Sequence, residues 1–159
     1  MCIRDRFKAD KRYNFYKQDY APNYDKNITI LGKKQWSWLE NELKINADLR
    51  IIGSSTQFAV EWNGYETWEN FPKEKQKMID LIKNTNANNL FFISGDVHYS
   101  EISKIETEFY PLYDFTSSGL SSTWHFDTPN KNRIEGPIMD NHFGLITIDF
   151  KESNNEFVK

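Results

Sequence analysis

Apolar residues recur at helical spacing in two stretches of the chain. Between Leu31 and Lys44, Trp36, Leu39 and Leu43 fall at i, i+3 and i+7 and share one face, which predicts a helix. A second helix is predicted over Pro72–Lys83, with the proline in its first turn and Met78, Ile79 and Ile82 facing a core. Strand patterns lie between and after them. Leu49–Ile52 is short and ends at Gly53-Ser54-Ser55-Thr56. Leu90–Ile93 is continuously apolar without alternation, which predicts a strand buried on both faces. Ile102–Ile105, Tyr113–Phe115 and Leu145–Phe150 are further strand candidates, the last alternating near its end, and Glu156–Lys159 reads as the opening of another. Helices interspersed with strands predict an α/β fold, and no repeat, low-complexity linker or domain boundary interrupts it.

The connections carry their own signals. Asp10–Asp25, rich in Tyr, Asn and Lys, predicts a short extended piece followed by a polar loop. The stretch from Phe58 to Phe71 holds Trp62, Tyr65 and Trp68 and is long for a connection, and loops of that length often carry function. Loop tryptophans stack on sugars and protein partners, so Trp62–Phe71, with Trp124, supports the alternative of a non-catalytic binding module. The tryptophans of the first helix are expected in the core. Ser117–Asn141 reads mostly as loop, and the charges of Lys73–Lys77 as a solvated helix face.

Composition narrows the classes. With 159 residues, 38% hydrophobic and 16% aromatic, the chain is long enough for one packed globular domain. A net charge of −3 without a basic stripe argues against nucleic-acid binding. No apolar run approaches the roughly 20 residues that span a bilayer, and the start has no apolar signal core. Cys2, alone, excludes an intrachain disulfide. Met1–Arg6 (Met-Cys-Ile-Arg-Asp-Arg) matches the translation of a sequencing-library transposon end, so these six residues are expected to be adapter read-through and the domain to occupy residues 7–159.

Candidate chemistry follows the apolar run at Leu90. Gly95-Asp96-Val97-His98 stands where the strand ends, the place where open α/β sheets hold ligands. On an extended backbone, side chains two apart share a face, which would aim Asp96 and His98 at one spot. A carboxylate and an imidazole together suit zinc, iron or manganese, and the carboxylate also suits calcium. The same residue types also serve as a turn cap and a hydrogen-bonded histidine, so four residues do not decide.

The order of motifs along the chain adds to this. Asp10-Lys11-Arg12-Tyr13, Ile30-Leu31-Gly32-Lys33-Lys34-Gln35-Trp36-Ser37-Trp38-Leu39, Ser54-Ser55-Thr56-Gln57-Phe58 and Trp68-Glu69-Asn70-Phe71-Pro72 precede the Gly-Asp-x-His segment Phe92–Glu101. Thr116-Ser117-Ser118-Gly119-Leu120 and Asn141-His142-Phe143-Gly144 follow it. In this order they resemble the C-terminal half of the PhoD-like alkaline phosphatases, within the calcineurin-like metallophosphoesterases, with Lys11 departing from the family's threonine. The resemblance implies the C-terminal part of a β-sandwich flanked by helices and hydrolysis of phosphate mono- or diesters. It also implies a dinuclear metal centre, of iron with calcium or of zinc or manganese, with Asp96 and His98 as ligands. The family's remaining ligands come from N-terminal motifs that nothing here matches, so the chain is expected to be an inactive fragment of such an enzyme. Export to the periplasm, cell surface or medium is expected through the family alone.

The other residues near this chemistry are assigned as follows. Tyr99 and Glu101 are candidates to hold the second ring nitrogen of His98. His125 is a candidate contact to phosphate or proton donor to the leaving group, against the plainer reading of a surface-loop histidine. Ser117 and Ser118 are candidate donors to phosphate, although Ser-Ser-Gly is first of all turn chemistry. His142, ahead of Phe143-Gly144, is expected to be structural.

Overall fold

The computed structural model describes residues 10–11 and 20–150 of the chain. The expected adapter-like start, Cys2, Arg12-Tyr13 and the strand expected at Glu156–Lys159 lie outside the described residues. In chain order the elements are β1 (Asp10–Lys11), β2 (Tyr20–Ala21), α1 (Gly32–Lys44), β3 (Arg50–Gly53), α2 (Pro72–Asn84), β4 (Leu90–Ser94), β5 (Ser100–Ile105), β6 (Leu112–Ser117) and β7 (Arg133–Ile138). The first two pair as a small antiparallel ribbon. The other five form one mixed sheet in the order β3-β4-β6-β5-β7. In it β3, β4 and β6 run parallel, and β5 runs antiparallel to both β6 and β7. The fold class is α/β, as the alternation of patterns predicts.

Both helices form where expected and for the expected reason, except that Trp38 is 56% exposed, so only Trp36 of the two tryptophans of α1 reaches the core. Trp36, Leu39 and Leu43 of α1 are buried together with Met78 and Ile82 of α2. Pro72 opens α2, and Asn86, with a φ of 51°, follows its end in the left-handed conformation that asparagine tolerates. The two helices are tied by one carboxylate. Glu74, in the first turn of α2, accepts hydrogen bonds from Thr29 Oγ1, Ile30 N (3.0 Å) and Trp36 Nε1 (2.7 Å). This corrects the solvated-face reading of Lys73–Lys77 at two positions, while Lys73, Gln76 and Lys77 are exposed as expected. Glu74 and Lys75 are buried, and Lys75 Nζ donates to Val60 O (2.9 Å) and pairs with Glu69 (2.7 Å).

The long aromatic connection is mostly core. Phe58, Ala59 and Val60 are fully buried, and Trp68 and Phe71 nearly so, around a 3-10 turn at Trp68–Asn70. Phe58 stacks on Phe92 of β4 at 3.9 Å, and Trp68 meets Phe58 edge-on at 5.4 Å. Edge and stacked pairs of this kind add about 1 kcal/mol each beyond area burial.

Three sequence expectations change. β4 is covered on both faces only through Phe92, because Ile93 is 40% exposed on the face away from the helices. β7 forms inside the stretch expected to be loop. It is an edge strand with a register shift against β5, and its Gly136–Pro137 peptide is cis. Gly136 has a φ of 94°, and a Cβ there would stand 2.8 Å from Ser100 O, so the close approach to β5 requires glycine. Leu145–Phe150 is not a strand. It pairs with nothing in the described sheet and leaves Leu145 82% exposed, because alternation supplies a pattern but not a ladder partner.

Candidate metal and phosphate site

Three parallel strands end together. The segments after β3 (Ser54 onward), after β4 (Gly95–Tyr99) and after β6 (Ser118–Leu120) therefore gather at one end of the sheet. The Asp-x-His pair does not continue the strand. Asp96 and His98 have φ values of 76° and 59°, so the chain bends twice in the left-handed region between β4 and β5. That corrects the extended geometry on which the shared-face argument rested. Val97 between them is buried, Asp96 is exposed and His98 is half-buried.

The bend is held by the segment from β6. Ser118 Oγ accepts the hydrogen bond of His98 N (2.9 Å) and reaches back to Tyr99 O (3.5 Å). Trp124 N donates to His98 O (3.2 Å). The ring of Trp124 lies nearly parallel to the imidazole, at 5.6 Å and 10°. His98 Nδ1 is buried and has no hydrogen-bond partner among the described residues. A buried imidazole nitrogen left open is the donor chemistry a metal takes. The chemistry of His98 therefore fits a metal ligand, Asp96 stands two residues away in the same bend, and no group of three or more His, Cys, Asp or Glu side chains comes together among the described residues.

The expected outer partners of His98 are engaged elsewhere. Tyr99 is fully buried, and its hydroxyl pairs with Thr128 Oγ1 (2.7 Å). Burial, reinforced by the charge of Glu101, pushes its phenol above the usual tyrosine range. Glu101 turns to the helix-covered face, where its carboxylate accepts from Gln57 Nε2 (2.7 Å), Asn130 Nδ2 (2.8 Å) and Arg133 Nε. Neither side chain reaches His98, so the expectation that one of them holds its second nitrogen is corrected.

The remaining candidates separate. Ser118 sits in the bend, but its hydroxyl is spent on backbone. Ser117 is exposed at the end of β6, and His125 is exposed beside Trp124 in the chain. His142 is structural in its contacts. Its Nε2 accepts from Gly119 N (3.2 Å), which places the proton on Nδ1, whose partner is Asp140 O (2.6 Å). The ring lies so close that a Cβ on Gly119 would stand 2.1 Å from Cε1, so a side chain there would displace the imidazole. In the aromatic loop, Trp68 and Phe71 are core and only Trp62 is markedly exposed, with its Nε1 bonded to Tyr20 O. This removes most of the surface on which a binding module would rely.

Asp114 is a buried acid that pattern reading missed. Fully buried at the centre of β6, it accepts from Phe58 N (2.7 Å) and Ala59 N (3.1 Å) through Oδ2 and from Ser94 Oγ (2.6 Å) through Oδ1. Burial raises its pKa against the pull of these three donors, with Glu101 adding to the rise. The signal was an acid inside the apolar run Leu112-Tyr113-Asp114-Phe115.

Comparison with known proteins agrees with the motif order. The sequence profile described as PhoD-like phosphatase matches residues 4–150. Alkaline phosphatase D of Bacillus subtilis (strain 168) is 32% identical over 92 residues, covering 52% of this chain and 16% of that protein. A solved structure described as the structure of PhoD superposes with a TM-score of 0.56 at 27% identity, covering 69% of this chain and 24% of that one. The chain thus spans about a sixth of the curated relative and about a quarter of the structural one.

Proposed function

The chain belongs to the PhoD-like phosphatase family, and from that premise we propose that it is part of a metal-dependent hydrolase of phosphate mono- or diesters, with Asp96 and His98 among the metal ligands. The observation that carries the reading is the open, buried Nδ1 of His98 on a bend at the shared end of three parallel strands. When bound, a metal pair (iron with calcium, or zinc or manganese) would neutralise phosphoryl charge and lower the pKa of a coordinated water.

The chain's own residues do the preparing. Asp96 and His98 are presented by the double bend, and Ser118 fixes the bend from the neighbouring strand end. Asp114 anchors Phe58 and Ala59, which sets the floor of the segment after β3. His125 is proposed as a contact to substrate from the exposed loop, and Ser117 as a second one. Residues 7–159 are proposed as one portion of a PhoD-like domain, and an exported location follows only from the family reading.

Two enzymes test this. In the full-length protein, Asp96→Ala or His98→Ala is expected to lower metal-dependent turnover of a simple aryl phosphate by at least about a hundredfold, the upper range for weakening a metal's surroundings. The 159-residue chain alone, which offers two ligands among its described residues, is expected to show none. Undiminished turnover in both variants would refute the ligand assignment, and robust turnover by the chain alone would refute its insufficiency.

A further inference from the structure

We propose that Trp124 is a positioning residue for His98, aligning the imidazole by ring stacking where a hydrogen-bonded outer partner would ordinarily do so. The proposal rests on the reading of His98 as a metal ligand. Histidines that bind metals usually donate their second nitrogen to a carboxylate or carbonyl, which fixes tautomer and ring orientation. Here the two candidates for that task that the sequence offered are committed, Tyr99 to Thr128 and Glu101 to Gln57, Asn130 and Arg133. With Nδ1 left open for the metal, the second nitrogen is Nε2, and no hydrogen bond from it to a described residue holds the ring.

The neighbouring rings supply what is missing. Trp124 lies nearly parallel to the imidazole, and Phe126 lies nearly parallel to Trp124 at 5.1 Å and 18°. Tyr65 tilts against Trp124 at 5.2 Å, so the indole is braced from a second loop. The main chain is clamped by the same residue. Trp124 N holds His98 O while Ser118 Oγ holds His98 N, so both backbone polar groups of this left-handed residue are spoken for. With the backbone fixed at both ends, the remaining freedom of the ring is rotation of the side chain. A planar indole restricts that rotation, whereas an aliphatic side chain of similar bulk fills space without imposing a plane.

The experiment measures Co2+ affinity of the full-length protein by chelator competition, cobalt being a metal that accepts imidazole and carboxylate. Thermal unfolding is followed in parallel. Trp124→Leu is expected to weaken Co2+ binding about tenfold, the scale of lost outer-shell orientation. Trp124→Phe, which restores a plane, should stay within about threefold of wild type, and both variants should unfold within a few degrees of it. If His98→Ala leaves Co2+ affinity unchanged, the ligand reading itself fails. If His98→Ala weakens binding but Trp124→Leu matches wild type, only the positioning role fails. Equal losses in the Phe and Leu variants would make Trp124 a spacer and also overturn the proposal. Should Trp124→Leu unfold the protein, Phe126→Ala decides, because Phe126 is half-exposed and dispensable to the core. It is expected to weaken binding about threefold, the scale of one aromatic pair, and unaltered affinity would overturn the role.

Discussion

The two faces of the five-stranded sheet are built on different terms. One carries α1, α2 and the aromatic connection. Leu90, Phe92 and Leu112 there meet Trp36, Phe58 and Met78 in a continuous core. The other face carries Ile93, Phe115, Ile138 and the stretch after Gly144, and these line an open groove of about 940 Å³. Ile51, Ile93 and Ile138 on this side are substantially exposed. Both faces carry large apolar side chains, so the difference does not lie in hydrophobicity. It lies in what the described residues place against each, and it shows how little a residue's type says about its energetic weight.

Phe92 and Ile93 put that contrast in consecutive positions. Phe92→Ala is expected to destabilise by about 3–5 kcal/mol, the range for truncating a fully buried aromatic. Ile93→Ala should change stability by less than about 1 kcal/mol, since its surroundings are already open to water. Urea unfolding of the two variants measures both. Comparable losses would mean that the groove is closed in solution and that the faces are equivalent.

A smaller effect is expected at the polar pin of the covered face. Glu74→Ala removes the acceptor of Thr29 Oγ1, Ile30 N and Trp36 Nε1. Leaving buried donors unpaired costs about 1–3 kcal/mol. Chemical denaturation should place this variant between Phe92→Ala and Ile93→Ala, and a loss as small as that of Ile93→Ala would show that water replaces the carboxylate.

The smallest effect is a pH trend. Asp114 has a raised pKa because burial disfavours its charge. Its protonated form thus favours the native state, and the folded chain holds this proton more tightly than the unfolded one. Its contribution is fully present below the ordinary aspartate value of 3.8 and is lost as pH rises through the folded value. Asp114→Asn keeps an oxygen for Phe58 N and Ala59 N and turns its amide toward Ser94 Oγ, which accepts as readily as it donates. Relative to wild type, the Asn variant should therefore gain stability as pH rises from about 4 toward neutrality. Thermal midpoints across that range check the slope, and a parallel pair of curves would assign the charge no linkage.

Sequence periodicity reached the covered face and stopped there. Trp36, Leu39, Leu43, Met78 and Ile82 were legible because helical spacing is local information. The burial of Phe58 and Ala59 was not, because it depends on Asp114, 55 or more positions away, satisfying backbone that a pattern counts as loop. β7 hid behind Gly136-Pro137 and two charged residues, since an edge strand needs neither alternation nor a full ladder. Leu145–Phe150 failed in the opposite sense, having the alternation without the neighbour. At the candidate site, the identities of Asp96 and His98 were readable but their geometry was not. The double bend and the Trp124 stack are held by a segment twenty or more residues downstream.

That bend sets stability against usefulness. Asp96 and His98 both occupy a backbone region where glycine is at ease and a side chain costs about 1 kcal/mol. A change to glycine at either position would ease the main chain while deleting the group that could bind metal. Selecting variants of this chain for heat resistance alone would thus put the site at risk, and a gain in melting temperature from a change in this loop should be taken as a warning rather than an improvement.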